Sequence, residues 1–246
     1  GAGQGACDWP KARSPANAAP DPNVCVAETP EGGAAAWMIK AKAVGNLARI
    51  AAARDLTMVH ISSEYVFDGT KAPHTETEAF TPLGVYAQTK AAGDIAVGTL
   101  AKHYVVRTSW LIGDGPNFVR TMMGLAAKNI SPKVVSDQVG RLTFTETLVN
   151  GIEKLLKDAA TAGTYNLSTS GEPASWADIT RAIFSEIGRD DLTVTGVTTE
   201  EHYPGKAGLA PRPLPSTLDL GTADAAGISP ANSRRALRHS LTSETP

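Results

Sequence analysis

The apolar positions fall into alternating helical and extended patterns from Ala34 onward. Trp37, Ala41, Val44, Ala48 and Ala51 recur at helical spacing, with Leu47 widening the stripe, and predict an amphipathic helix packed on a sheet. Residues 56–67 are near-continuously apolar and break at Asp68-Gly69, as a strand covered on both faces does. The polar run through Lys71-Ala72-Pro73-His74 and Glu76-Thr77-Glu78 is a loop able to border a substrate, with His74 solvated in it. Pro82 precedes a helix that carries Tyr86 and continues its apolar side through Ala91, Ile95, Val97 and Leu100. Residues 104–111 form a second buried strand, and Asn117 opens a helix marked by Phe118, Met122, Leu125 and Ala126. A strand at 133–136, a helix at 145–156 and a strand at 164–168 follow. Ser175 with Asp178 three residues on is a capping box opening another helix. A strand at 192–197, an extended stretch from Arg212 to Ser216 and a short basic helix from Ser233 to His239 complete the series. Alternation of this kind predicts a parallel α/β sheet with helices on both faces, roofed by a smaller lobe built from the later elements.

Composition narrows the function classes. The 246 residues are 42% hydrophobic and 20% charged, an ordinary globular balance, and the net charge of −2 offers no footprint for nucleic acid or an anionic membrane. No apolar run approaches the ~18 residues of a spanning helix. The start lacks a basic-then-apolar leader, so a cytoplasmic location is expected. Cys7 and Cys25 have neither CxxC nor Cys/His spacing and read as structural or incidental, with no metal site expected.

The chemistry concentrates at Tyr86 and Lys90, which stand at i and i+4 and so emerge on one helical face. A free tyrosine titrates near ~10, and a neighbouring ammonium favours its anion. Lys90 is thus placed to tune Tyr86 as a proton donor or acceptor. Ser63, at the end of the preceding strand, offers a hydroxyl to hold a carbonyl oxygen while Tyr86 protonates it. Positioned acid catalysis of this kind contributes ~10²–10⁴-fold. Asn117 suits a helix N-cap or a substrate contact, and Trp110, before Gly113-Asp114-Gly115-Pro116, suits a ring-stacking position at a strand's carboxyl end.

These features occur together with Val106-Arg107-Thr108-Ser109-Trp110, Asn117-Phe118-Val119, Val135-Ser136-Asp137-Gln138 with Gly140, and Arg212-Pro213 before Ser216-Thr217-Leu218-Asp219. In order and spacing the set resembles the dTDP-4-dehydrorhamnose reductase family, an extended branch of the short-chain dehydrogenase/reductases. The resemblance runs from about Ala27 to about Leu220. It implies a Rossmann-like doubly wound parallel sheet with a smaller α/β substrate lobe: residues 1–165 as the nucleotide-binding domain and 166–246 as the lobe, interleaved with 111–132. The implied reaction is reduction of the 4-keto group of a dTDP-linked 6-deoxyhexose by NADPH or NADH, with no nucleic-acid or membrane partner and a homodimer as a possible assembly.

By the same resemblance Tyr86, Lys90 and Ser63 are catalytic. Ser62, Tyr86, Lys90 and the Asn17-Ala18-Ala19 loop face the cofactor, and Ser63, Tyr65, Trp110, Asn117, Arg141 and Arg212 face the substrate. Gly1 and Gly3 lie in a glycine cluster that reads either as the remnant of a phosphate-cradling turn or as a flexible end. Only eleven residues separate that cluster from Asn17, whereas a βαβ unit takes ~30, so either half of the dinucleotide-binding unit is absent from the protein or segments of it are left out of this sequence. The family pattern places an asparagine at Lys40 and a small or polar residue at Lys42; a surface lysine is the expectation for both. The alternative function is a regulatory or scaffolding relative that keeps the fold without reducing anything.

Overall fold

The computed structural model describes residues 24–203 and 209–244, with side chains to 242. Gly1, Gly3, Cys7, Asn17, Ala18 and Ala19 lie outside the described residues. Thr29 caps the first helix, its hydroxyl accepting from the Gly32 N–H at 3.1 Å. Pro30 takes the first helical position, where its missing N–H forfeits nothing. Helix α1 (Pro30–Ala36) passes through a π-helical segment (Trp37–Lys42) into α2 (Ala43–Ala53). There follow β1 (Met58–Ser63), α3 (Val85–Gly98), β2 (His103–Thr108), β3 (Leu111–Ile112), α4 (Phe118–Ala127), β4 (Lys133–Val135), β5 (Val139–Gly140) and β6 (Thr143–Phe144). Then come α5 (Thr145–Lys157), β7 (Gly163–Asn166), β8 (Ala174–Ser175), α6 (Trp176–Glu186), β9 (Thr195–Val197), α7 (Thr199–His202), α8 (Gly221–Ala225) and α9 (Ser233–Glu244).

Strands β1, β2 and β7 form a parallel sheet in that order, with Ile61 opposite Val106 and Val106 opposite Tyr165. Side chains alternate across a strand, and β2 uses both faces. Tyr104 and Val106 pack with Leu148 and Leu155 of α5, whereas Val105 packs with Val44 of α2 and Val97 of α3. Helices therefore cover the sheet on both sides, and the fold is Rossmann-like α/β. A separate apolar cluster joins α4, α6 and α9 through Val119, Met122, Ile183, Phe184 and Leu237, alongside the parallel pair β4 and β9. Helix α6 begins on the expected capping box, Ser175 and Asp178 each accepting from the other's backbone N–H.

Three sequence expectations are corrected. The wide π turn shifts the stripe of the first helices to Gly33, Ala36, Lys40, Val44, Ala48 and Ala51, leaving Trp37 44% and Leu47 42% exposed. The same shift turns Lys40 inward, so it is buried and not a surface lysine, while Lys42 remains exposed. His74 is fully buried instead of solvated: its ring stacks on Phe67 with centroids 4.5 Å apart. The backbone explains this, because the Thr217 carbonyl accepts from the His74 N–H and the His74 carbonyl from the Asp219 N–H, each at 2.8 Å. A segment some 140 residues downstream closes over the loop.

Candidate active site

Strand β1 ends at Ser63, which caps a 3-10 turn over Glu64–Val66. The Ser63 hydroxyl accepts from the Tyr65 N–H at 3.2 Å and donates to Glu64 Oε2 at 2.8 Å. Helix α3 carries Tyr86 and Lys90 and starts at Gly84, which has no side chain to cap it. Glu28 supplies the cap: its Oε1 accepts from the Val85 N–H at 2.8 Å, placing an anion at a helix N-terminus. A Cβ at Gly84 would stand 2.6 Å from that oxygen, so a larger residue there would push the Glu28 carboxylate off the cap.

Lys90 is buried and donates to the Ile61 carbonyl. Burial lowers its pKa to about 8, with the Asp94 carboxylate opposing the shift and Lys40 adding to it. Asp94, one turn further along α3, pairs with Arg107 of β2 at 3.1 Å and lies 3.5 Å from His60 of β1. The helix is thereby fastened to both strands beneath it. Tyr65 meets the Tyr86 ring edge-on at 5.8 Å, and the Lys40 ammonium stands 5.6 Å from the ring centroid. The Tyr86 phenol is held above its ordinary value by burial first, then by the charges of Glu64 and Tyr65, while a hydrogen bond with Ser63 acts in the opposite sense. Burial, and not the ammonium of Lys90, sets the direction of the shift, and the phenol keeps its proton at neutral pH.

Arg212 reaches the same place from far along the chain, donating to the Tyr65 hydroxyl at 3.0 Å. Burial still pushes the Tyr65 phenol up against the pull of that guanidinium. Ser62 is buried, and its Oγ has no hydrogen-bond partner among the described residues. The structure thus brings Ser62, Ser63, Tyr65, Tyr86, Lys90 and Arg212 together at the carboxyl end of β1.

The other candidates are engaged elsewhere. Trp110 adopts a left-handed backbone, φ +41°, and stacks on Trp176 with centroids 3.7 Å apart. Its ring partner is a side chain of the lobe. Asn117 caps α4 by accepting from the Arg120 N–H at 3.0 Å and donates to the Gly113 and Gly115 carbonyls. Arg141 donates to the Gly171 and Leu218 carbonyls, and burial lowers its pKa. The sequence reading missed Glu28, Glu64 and Asp94. Glu28 acts across 57 positions and leaves no local signal. Glu64 directly follows Ser63, and only the turn after β1 brings it inside. Among the described residues there is no group of acidic, histidine or cysteine side chains arranged to hold a metal ion, and no helix is long and apolar enough to cross a membrane.

The chain is 37% identical over 186 residues to the spore coat polysaccharide biosynthesis protein SpsK of Bacillus subtilis, covering 74% of this chain and 63% of that one. It is 35% identical over 218 residues to the dTDP-4-dehydrorhamnose reductase of Aggregatibacter actinomycetemcomitans, covering 83% and 72%. The crystal structure of dTDP-4-dehydrorhamnose reductase from Bacillus anthracis in complex with NADP matches with a TM-score of 0.81 at 32% identity, over 92% of this chain and 78% of that one. The chain thus spans between three fifths and four fifths of the length of these relatives. The profile described as the RmlD substrate binding domain matches residues 15–245, so with these motifs, this fold and these relatives the chain belongs to the RmlD substrate binding domain family.

Proposed function

We propose that the protein is a nicotinamide-dependent reductase of the 4-keto group of a dTDP-linked 6-deoxyhexose, converting dTDP-4-dehydrorhamnose to dTDP-L-rhamnose. The observation that carries this reading is the convergence of Ser63, Tyr86 and Lys90 at one end of β1: Ser63 hydrogen-bonds with Tyr86, and Lys90 on the same helix donates to the Ile61 carbonyl of that strand. A reduced nicotinamide supplies the hydride when bound. The residues present fit it: Ser62 Oγ is a buried polar atom with no partner among the described residues, and the Lys90 ammonium has three donors, of which the Ile61 carbonyl takes one. The name of the Bacillus anthracis neighbour favours NADPH over NADH.

Tyr86 holds its proton at the pH of the cell and delivers it to the substrate oxygen as negative charge develops there. Ser63 holds that oxygen, and Lys90, cationic below about pH 8, offsets the phenolate that forms. Ser62, Lys90, Gly1, Gly3, Asn17, Ala18 and Ala19 are the proposed cofactor contacts. Tyr65, Trp110, Asn117, Arg141 and Arg212 are the proposed substrate contacts, best supported for Tyr65 and Arg212, which adjoin the catalytic groups. The proposal extends to a nucleotide-binding domain over 1–165, a lobe over 166–246 interleaved with 111–132, a homodimer and a cytoplasmic location.

Tyr86→Phe tests the assignment. The variant is expected to lose ~10²–10⁴-fold in kcat with an unchanged circular dichroism spectrum; full activity would refute the role of the phenol. One observation favours the non-catalytic reading, the buried Lys40 beside the Tyr86 ring where the family pattern has asparagine. Calorimetric titration with NADPH and NADH, followed by a turnover assay, separates the two: binding with turnover belongs to the reductase, and neither to the scaffold.

A further inference from the structure

Glu64 is unused in the chemistry above, yet it is buried at the centre of the site. Its side chain is 4% exposed, and Oε2 lies 2.8 Å from the Ser63 hydroxyl. That hydroxyl has one proton and two acceptor positions. The Tyr65 N–H occupies one acceptor position at 3.2 Å, leaving one proton and one lone pair to be shared among Glu64, the Tyr86 hydroxyl and a substrate. A carboxylate only accepts, so ionised Glu64 takes the Ser63 proton and turns a lone pair toward any carbonyl, which cannot bond to it. A neutral carboxylic acid donates to the remaining lone pair and releases the Ser63 proton toward the carbonyl.

We propose that Glu64 is a positioning residue that acts as a neutral acid, its proton setting the direction of the Ser63 hydroxyl and so deciding whether Ser63 can bind a carbonyl oxygen. The proposal rests on the reductase reading for its consequence in turnover but not for the coupling between the two side chains. The groups around Glu64 compete. Arg212 from the extended segment, the Trp110 N–H after β2 and the Ser63 hydroxyl favour the carboxylate, whereas burial disfavours it. From α3 the charge of Glu64 reaches Tyr86, whose ring lies between Tyr65 and Lys40, with Lys90 one turn further on. Burial dominates and raises Glu64 to about 7, so the switch lies at neutral pH.

Infrared difference spectroscopy of the protein without ligands, wild type against Glu64→Gln, reads the carboxylic-acid C=O stretch directly. The band is expected to disappear as pH rises through about 7 and to be missing in the variant. Absence of a Glu64-dependent band near neutral pH overturns the proposal. Ser63→Ala tests the coupling without turnover. Losing a hydrogen bond that favours the carboxylate moves the band's disappearance to higher pH, and an unmoved titration overturns the link. In the turnover assay, kcat of the wild type falls ~10-fold per pH unit above the midpoint. Glu64→Gln, whose amide N–H donates at every pH, removes the limb at about 7 and leaves the later fall set by Lys90 at about 8; a limb still centred at about 7 in the variant also overturns the proposal. A band that titrates and responds to Ser63→Ala in a protein without turnover supports the coupling and counts against the reductase reading alone.

Discussion

Asp94→Asn is expected to loosen the joint that holds α3, the helix of Tyr86 and Lys90, on the sheet. Asp94 and Arg107 are 4% and 2% exposed, and Nε lies 3.1 Å from Oδ2. Asparagine keeps the shape of the aspartate and removes its charge, leaving the Arg107 guanidinium buried without a counter-charge. The remaining contacts of Arg107 are the Glu76 carbonyl at 3.1 Å and the rings of Phe67 and Phe80 at 5.2 and 5.0 Å, none of which carries a full negative charge. Breaking a buried pair from one side costs about 3–5 kcal/mol, against a typical total stability of about 5–15 kcal/mol. With a urea slope of about 2–3 kcal/mol/M, the unfolding midpoint should drop by about 1–2 M. Activity should fall as well, because Asp94 is the group that opposes the lowering of Lys90. Without it the lysine deprotonates below about pH 8 and no longer offsets a phenolate. The double variant Asp94→Leu/Arg107→Met should recover much of the stability, since an apolar pair replaces an ion pair at little cost, while remaining poorly active. A loss of less than about 1 kcal/mol in Asp94→Asn, or a double variant no more stable than the single one, would refute the account.

Two further outcomes follow from the site. Lys90 titrates at about 8 in the folded chain against 10.5 when unfolded, so between these values the unfolded state binds more protons and stability rises with pH. The gain is about 3 kcal/mol across the window. Urea denaturation of wild type and Lys90→Met across that range should show the rise in the first and not in the second, and parallel curves would contradict it. Gly140→Ala would set a Cβ 2.9 Å from Ser216 Oγ and 3.0 Å from the Trp110 ring; overpacking should cost about 1–3 kcal/mol and shift the tryptophan fluorescence. An unchanged urea midpoint and spectrum would mean that the ring is not held there.

Wherever the controlling forces act within a turn or along a single strand, the sequence by itself was sufficient. The capping box of α6 joins residues three apart, the N-cap of α4 is Asn117 itself, and the pairing of Tyr86 with Lys90 on one face follows from helical geometry. The apolar runs that became β1 and β2 mark a sheet buried on both faces, because covering both faces requires continuous hydrophobicity. Tertiary structure decided which polar groups lie inside. The packing of the π-helical segment turned Lys40 toward Tyr86 and left Trp37 outward. Glu28 became the cap of α3, Arg212 the partner of Tyr65, and the segment at 217–219 the cover over His74, each across tens of residues. Protonation was decided there too: Tyr86, Lys90 and Glu64 all depart from their ordinary values chiefly through burial. Burial belongs to the packed chain and to no single stretch of it, since the atoms that exclude water from a side chain come from segments remote in sequence.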